Sequence, residues 1–247
     1  SEMLRKFAVF CCCIAVSLSV FTFSGCEETK DDLSISQFDR PQDVALVCYD
    51  DNENIPLPLN CCKTELTSAE LSCASRASSA VLYAFVTQTT SGEVAVVNVK
   101  NQKIIDQESS IPYNTFIPVG GQPNDIAASD DGFRVYTANY ETGDLSVIKV
   151  VDKETNSSVI KDTKLIPSSS IDLGGPADKL VLVKSPEKYR DRFALVTQPT
   201  LGRLSVVALD ADSDCPDSNN NPNGCLLGYV VLPAAADTDE SEPELSH

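Results

Sequence analysis

The sequence predicts an all-β chain of four-stranded antiparallel sheets, a β-propeller with about three blades present. Three observations predict it. A fifteen-residue pattern recurs without gaps: FVTQTTSGEVAVVNV from Phe85, YTANYETGDLSVIKV from Tyr136 and LVTQPTLGRLSVVAL from Leu195. The run after each turn glycine (VAVVNV, LSVIKV, LSVVAL) stays apolar at successive positions where a half-exposed strand would alternate. A proline-led strand precedes each hairpin, and another apolar run follows it.

Each copy reads as two strands joined by a turn, with an amide side chain four residues before the glycine: Gln88 and Gly92, Asn139 and Gly143, Gln198 and Gly202. A lone hairpin is at best marginally stable in water, so these strands need cover on both sides. The small Ala95, Ser146 and Ser205 share one position, which predicts close approach there. The strand before each hairpin starts at Pro41-Gln42-Asp43, Pro123-Asn124-Asp125 or Pro176-Ala177-Asp178. Proline at a strand start gives up no ladder bond, and the aspartate can accept backbone N–H groups in a turn. Fourth strands are expected at 114–119, 166–173 and 226–232. A repeated four-stranded sheet covered on both faces is a propeller blade. Blades are expected at 40–119, 120–174 and 175–233, ahead of an acidic polar segment at 234–247. Three blades do not close the usual ring of four to eight. A longer product that continues the ring is therefore expected, the alternative being assembly of three-bladed chains.

The stretch GQPNDIAASDDGFRVYTANYETGDLSVIKV, residues 121–150, resembles the YVTN-type β-propeller repeat. Pro123, Ile126, Ala127, Asp131-Gly132, Tyr136, Thr137 and Asn139 match, while Ala138 interrupts the Y-V-T-N register. The resemblance extends more weakly over 40–119 and 175–232. It implies a ring of seven blades in a family of surface proteins, binding modules and lactonase-like enzymes, so fold leaves function open.

At the N-terminus, residues 1–25 read as an export signal. Arg5 and Lys6 precede an apolar run from Phe7 to Phe23, followed by Ser24-Gly25-Cys26. The end, FSGC, resembles a bacterial lipobox, which implies cleavage before Cys26 and lipid attachment there. Glu27 follows the cysteine, which leans toward outer over inner membrane. Residues 26–39 are polar and acidic, suited to a tether.

A net charge of -17 excludes nucleic-acid binding through a basic patch. The single histidine is His247, poorly placed for a triad, a zinc site or a general base. After export, Cys48, Cys61, Cys62, Cys73, Cys215 and Cys225 form an even set beyond Cys26, read as disulfides. Cys215 and Cys225 bracket one loop and are expected to pair. The other four allow 48–61 with 62–73, or 48–62 with 61–73, since bridging adjacent Cys61 and Cys62 is strained. Blade order places the turns at 88–92, 139–143 and 198–202 on one face, near Asp43, Asp125 and Asp178. The Cys-rich insertions 48–73 and 210–225 fall on the other.

Asp210, Asp212 and Asp214, with Asp217, Asn219 and Asn221, alternate as oxygen side chains do in Ca²⁺ loops. The turn glycine and closing glutamate of that motif are missing. No catalytic residue is named, and no cofactor beyond this Ca²⁺ candidate. The expected function is an exported, lipid-anchored scaffold binding an envelope protein or glycan. The alternative is part of a lactonase-like enzyme whose catalytic residues lie in further blades.

Overall fold

The structure, a computed structural model, describes residues 38–62, 73, 78–108, 115–152, 155, 157–161, 166, 168–184, 191–209 and 224–231. The expected signal segment, Cys26, Cys215 and the Ca²⁺ candidates Asp210, Asp212 and Asp214 lie outside these residues.

Three antiparallel sheets follow one another along the chain. The first contains β1 (Pro41–Asp50), β2 (Ile55–Leu57), β3 (Ala80–Gln88), β4 (Glu93–Asn98), β5 (Lys103–Ile105) and β6 (Ile117–Pro118). Its order is β2-β1-β3-β4, with β5 and β6 both pairing to β4. The second is built from β7 (Pro123–Ala128), β8 (Arg134–Asn139), β9 (Asp144–Lys149) and, beyond a small hairpin of β10 (Val151–Asp152) with β11 (Ser157–Ser158), β12 (Ser169–Asp172). The third runs β13 (Leu180–Lys184), β14 (Asp191–Gln198), β15 (Arg203–Ala208) and β16 (Cys225–Val231). Three consecutive four-strand meanders of this kind are propeller blades, as the repeat predicts. The outer strand of the first blade, expected as one piece, is divided between β5 and β6. Of the described part of the expected run, Ile117–Pro118 joins the ladder, and the Val119 N–H adds a bond to Gly92 O at 2.8 Å.

The missing alternation has its cause in the packing. Positions seven before and two and four after the turn glycine point toward the following blade. They are Phe85, Val94 and Val96 in blade one and Tyr136, Leu145 and Val147 in blade two, all at most 2% exposed. The intervening positions point back: Ile126, Val135 and Ile148 of blade two join Ala45, Phe85 and Val96 of blade one in a single core. A second core joins Tyr136, Leu145 and Val147 to Leu180, Ala194 and Val207 of blade three. Both sides of a middle strand are therefore apolar. Ser146 fills the predicted close approach: it is buried, and its hydroxyl accepts the Gly120 N–H at 3.1 Å.

Each turn glycine is left-handed, with φ of 67°, 70° and 58° at Gly92, Gly143 and Gly202. At Gly143 a Cβ would stand 2.8 Å from the backbone of Gly175, the connector into the next blade. The glycine thus serves the turn and the blade junction together.

Candidate functional site

The two faces of the blades carry different chemistry. On the face of the β3–β4, β8–β9 and β14–β15 turns, the repeated amides Gln88, Asn139 and Gln198 are fully buried. Asn139 donates to Ser146 Oγ at 2.8 Å, and Gln198 donates to the carbonyls of Leu173 and Gly175. Gln198 holds its turn to the connector, Asn139 meets the Ser146 hydroxyl that accepts the connector's Gly120 N–H, and Gln88 Oε1 accepts the Asp39 N–H, so the recurrence of these amides marks the fold.

The first strands β1, β7 and β13 are joined side by side by carboxylates. Asp43 on β1 accepts the N–H of Ile126 on β7, and Asp125 on β7 accepts the N–H of Leu180 on β13 at 2.7 Å. Asp43 and Asp125 also share a hydrogen bond. Burial and that bond push the Asp125 carboxyl up to about 6. Burial opposes ionisation of Asp43, yet the hydrogen bond from Asp125 and the N–H groups of Val44 and Ile126 hold its carboxyl below the ordinary range. The pair is one protonated and one ionised group at slightly acidic pH.

In blade three the register departs from the sequence alignment. Lys179 N–H donates to Thr197 Oγ1 as Asp43 N–H donates to Thr87 Oγ1, and each threonine hydroxyl donates back to the same residue's carbonyl. Lys179, and not Asp178, therefore occupies the position of Asp43 and Asp125. Its ammonium stands 3.7 Å from Asp125. Asp178 lies one place outward and accepts from Asn124 at 3.2 Å. Sequence reasoning brought the three aspartates to one face and missed Lys179. The paired threonines, Thr87 and Thr197, are the signal that locates it.

Outward from this mouth, a cleft of about 580 Å³ opens beside blade two, between the connector Pro118–Gly120 and β12. Asp144 lines it, 7% exposed, accepting from Ser170 at 2.6 Å and from Thr142. In blade three the corresponding positions hold Arg203 stacked on Tyr229 at 3.7 Å. Those two side chains fill the space that Asp144 and Ser170 leave open.

The opposite face carries the cysteine-rich insertion. Cys48 pairs with Cys62, and Cys61 with Cys73, one of the two arrangements the sequence left open. Cys61 and Cys62 lie in a short 3-10 turn, Leu59–Cys62, which sends neighbouring thiols to different partners. Cys48, Leu57, Cys61 and Cys73 form a small separate core. Cys225 is disulfide-bonded; Cys215, its expected partner, lies outside the described residues. The β2 hairpin abuts the Asp131-Gly132 turn of blade two, where a Cβ on Gly132 would meet Pro56 at 3.1 Å. Between them runs a groove of about 420 Å³, lined by Leu46, Pro58, Leu59 and Asn60 on one side and Ala128 to Asp131 on the other. Leu59 is 48% exposed. Asp131 is held by Ser129 Oγ at 2.7 Å and by the Phe133 N–H. β15 ends at Ala208 and β16 begins at Cys225 on this same face; Arg134, at the start of β8, donates to Leu209 O at 2.8 Å.

Among the described residues, no three His, Cys, Asp or Glu side chains gather as a metal would require. Nor is any helix among them long and apolar enough to cross a membrane.

No protein-family profile matches the chain, and no curated protein matches it. Solved structures do resemble it. Hydrazine synthase from Kuenenia stuttgartiensis aligns at 17% identity and TM-score 0.40, over 61% of this chain and 33% of that one. Hsv2p from Kluyveromyces lactis aligns at 14% and 0.38, over 62% and 45%. The periplasmic gluconolactonase of Pseudomonas aeruginosa aligns at 19% and 0.37, over 62% and 40%. The chain spans a third to under half the length of these structures.

Proposed function

We propose that the chain is an exported, lipid-anchored binding scaffold of the bacterial cell envelope, and that the disulfide-braced face is its recognition surface. The observation that carries this reading is the groove between Leu46, Leu59 and the Asp130-Asp131 turn. Two disulfides brace one wall and a hydrogen-bonded turn the other. Binding residues sit preferentially on loops held by a rigid scaffold. An exposed leucine beside two carboxylates suits an apolar side chain flanked by basic groups on an envelope protein. Disulfides of this density are those of an oxidising compartment, in keeping with the lipobox-like FSGC at Cys26.

The test is photocrosslinking from a benzoylphenylalanine at position 59 in envelope preparations, with position 99, 41% exposed on another part of blade one, as control. A discrete adduct from 59 and none from 99 supports the reading. Equal labelling, or labelling of neither, refutes it. The alternative, a lactonase-like enzyme, would need chemistry beyond the described residues; the Asp43–Asp125 pair is engaged with backbone N–H groups of neighbouring blades.

A further inference from the structure

The cleft beside blade two has a counterpart that blade three fills from within. The turn glycines set the correspondence. Asp144 and Arg203 each follow one directly, and Ser170 and Tyr229 each pair with the serine two residues further on, Ser146 and Ser205. The connectors correspond as well: Val119 N–H donates to Gly92 O at 2.8 Å and Leu173 N–H to Gly143 O at 3.0 Å. A Cβ on the next residue would meet Thr142 and Asp144 at Gly120, and Tyr229 and Arg203 at Gly174. In blade three the Arg203 guanidinium donates to Leu173 O at 3.0 Å and Gly174 O at 2.9 Å, and lies on the Tyr229 ring. The same place in blade two is the open cleft of about 580 Å³, where Val119 and Gly120 face the Asp144 carboxylate.

The polar groups lining that cleft have acceptors to offer and only negative charge. The hydroxyls of Thr142, Ser146 and Ser170 all donate to Asp144, the last two at 3.4 and 2.6 Å. That of Ser168 donates to Pro118 O at 2.6 Å. With their protons used inward, Ser168 and Ser170 offer a guest lone pairs. Asp172, exposed, adds a second carboxylate to the lining. Asp144 is 7% exposed, and among the described residues no basic side chain pairs with it. The hydroxyls satisfy it as a hydrogen-bond acceptor and leave its charge uncompensated, which favours a cation beside it. A cleft of this volume, with two carboxylates among hydroxyls and carbonyls, suits an organic cation rather than a single metal ion.

We propose that the cleft beside blade two is a binding site for a guanidinium group from another molecule, seated where blade three seats that of Arg203. A guanidinium presents its donors in one plane and suits a carboxylate flanked by hydroxyls and connector carbonyls; an ammonium has three donors on a point charge. The chain thus carries its own template for the guest, and blade two differs from blade three in leaving the place open. The site lies on the face of the β8–β9 turn, opposite the Leu59 groove, and stands independently of the role given to that groove.

The probe is Nα-acetyl-arginine methylamide, titrated into the full chain to about 20 mM, a range that detects a contact of millimolar affinity. The ¹H–¹⁵N spectrum is expected to show saturable shifts confined to the amides around the cleft, those of Gly120, Thr142, Asp144 and Ser170. The capped lysine analogue is expected to bind several-fold more weakly. Free arginine is titrated alongside, and whichever of the two arginine compounds binds more tightly identifies the source of the group, a peptide side chain or the amino acid. Asp144→Asn should weaken binding at least about tenfold. Because Asp144 also holds three hydroxyls, a second variant leaves it in place: Ser170→Lys, at an exposed side chain, puts an ammonium of the chain's own in the cleft and should weaken binding by a similar factor. No saturable shift at the top concentration, equal binding of the lysine analogue, or binding unchanged in both variants would overturn the proposal.

Discussion

Gly143 and Gly202 occupy the same repeat position, and their replacement by alanine is expected to differ in a way that isolates the blade junction. Both have left-handed φ, 70° and 58°. That conformation costs an alanine about 1–2 kcal/mol, offset by about 0.4–1 kcal/mol because alanine restricts the unfolded chain. Gly202→Ala meets nothing within 4 Å, so its net cost is about 1 kcal/mol. Gly143→Ala carries the same conformational cost and also puts a Cβ 2.8 Å from the Gly175 carbonyl carbon and 2.9 Å from its oxygen. The connector at Gly174–Gly175 is fixed by Gln198 and Arg203, and forcing it aside adds about 1–3 kcal/mol. With about 2–4 °C of Tm per kcal/mol in a domain of this size, Gly202→Ala should lower Tm by roughly 2–4 °C and Gly143→Ala by roughly 5–15 °C. Differential scanning fluorimetry of both variants is the assay. Equal shifts would mean that the Gly143 turn does not pack on the next blade's connector, and the reasoning from repeat to junction would fail.

Other expectations follow from the same contacts. Because Asp125 is raised to about 6 from an ordinary 3.8, the folded chain holds a proton there that the unfolded chain loses. That contribution to stability is full below about pH 4 and lost as pH rises toward 6. Asp125→Asn should flatten this part of a denaturation-versus-pH profile; a profile unchanged by the substitution would count against the shared proton. Opening the Cys48–Cys62 bridge with paired alanines removes a cross-link between residues 14 apart, at an expected cost of about 3 kcal/mol in urea unfolding. Cys26→Ala should abolish incorporation of labelled fatty acid in cells, and persistent labelling would remove the lipid anchor. Arg203→Ala takes away donors to Leu173 O and Gly174 O and the stack on Tyr229. It should open in blade three a cleft like that beside Asp144 and destabilise by about 1–3 kcal/mol.

The repeat was legible because a middle blade must bury both faces of its strands. LSVIKV loses its alternation for that reason, and Leu145 and Ile148, buried on opposite faces of the strand, show the cause. The paired amides and glycines were legible because turn and connector meet at the same spacing in each blade. Lys179 was not. Pro176-Ala177-Asp178 copies the spacing of Pro41-Gln42-Asp43, but β1 and β7 shift register after their prolines and blade three pairs one residue later. Only the threonine contacts reveal the offset. The disulfide pairing was narrowed to two arrangements by the strain of bridging neighbours, and the Leu59–Cys62 turn selects one. The groove under Leu59 could not be read at all, since it needs β2 and the blade-two turn, distant in sequence, to meet.

The central claim is that carboxylates join the innermost strands of successive blades. A ¹H–¹⁵N titration of the Leu180 amide tests it most directly, because that N–H lies 2.7 Å from Asp125 Oδ2, 55 residues away. The account predicts that the Leu180 resonance moves with a midpoint near 6, and that Asp125→Asn abolishes the movement. A Leu180 amide that ignores the ionisation of Asp125 would contradict the arrangement of the blades.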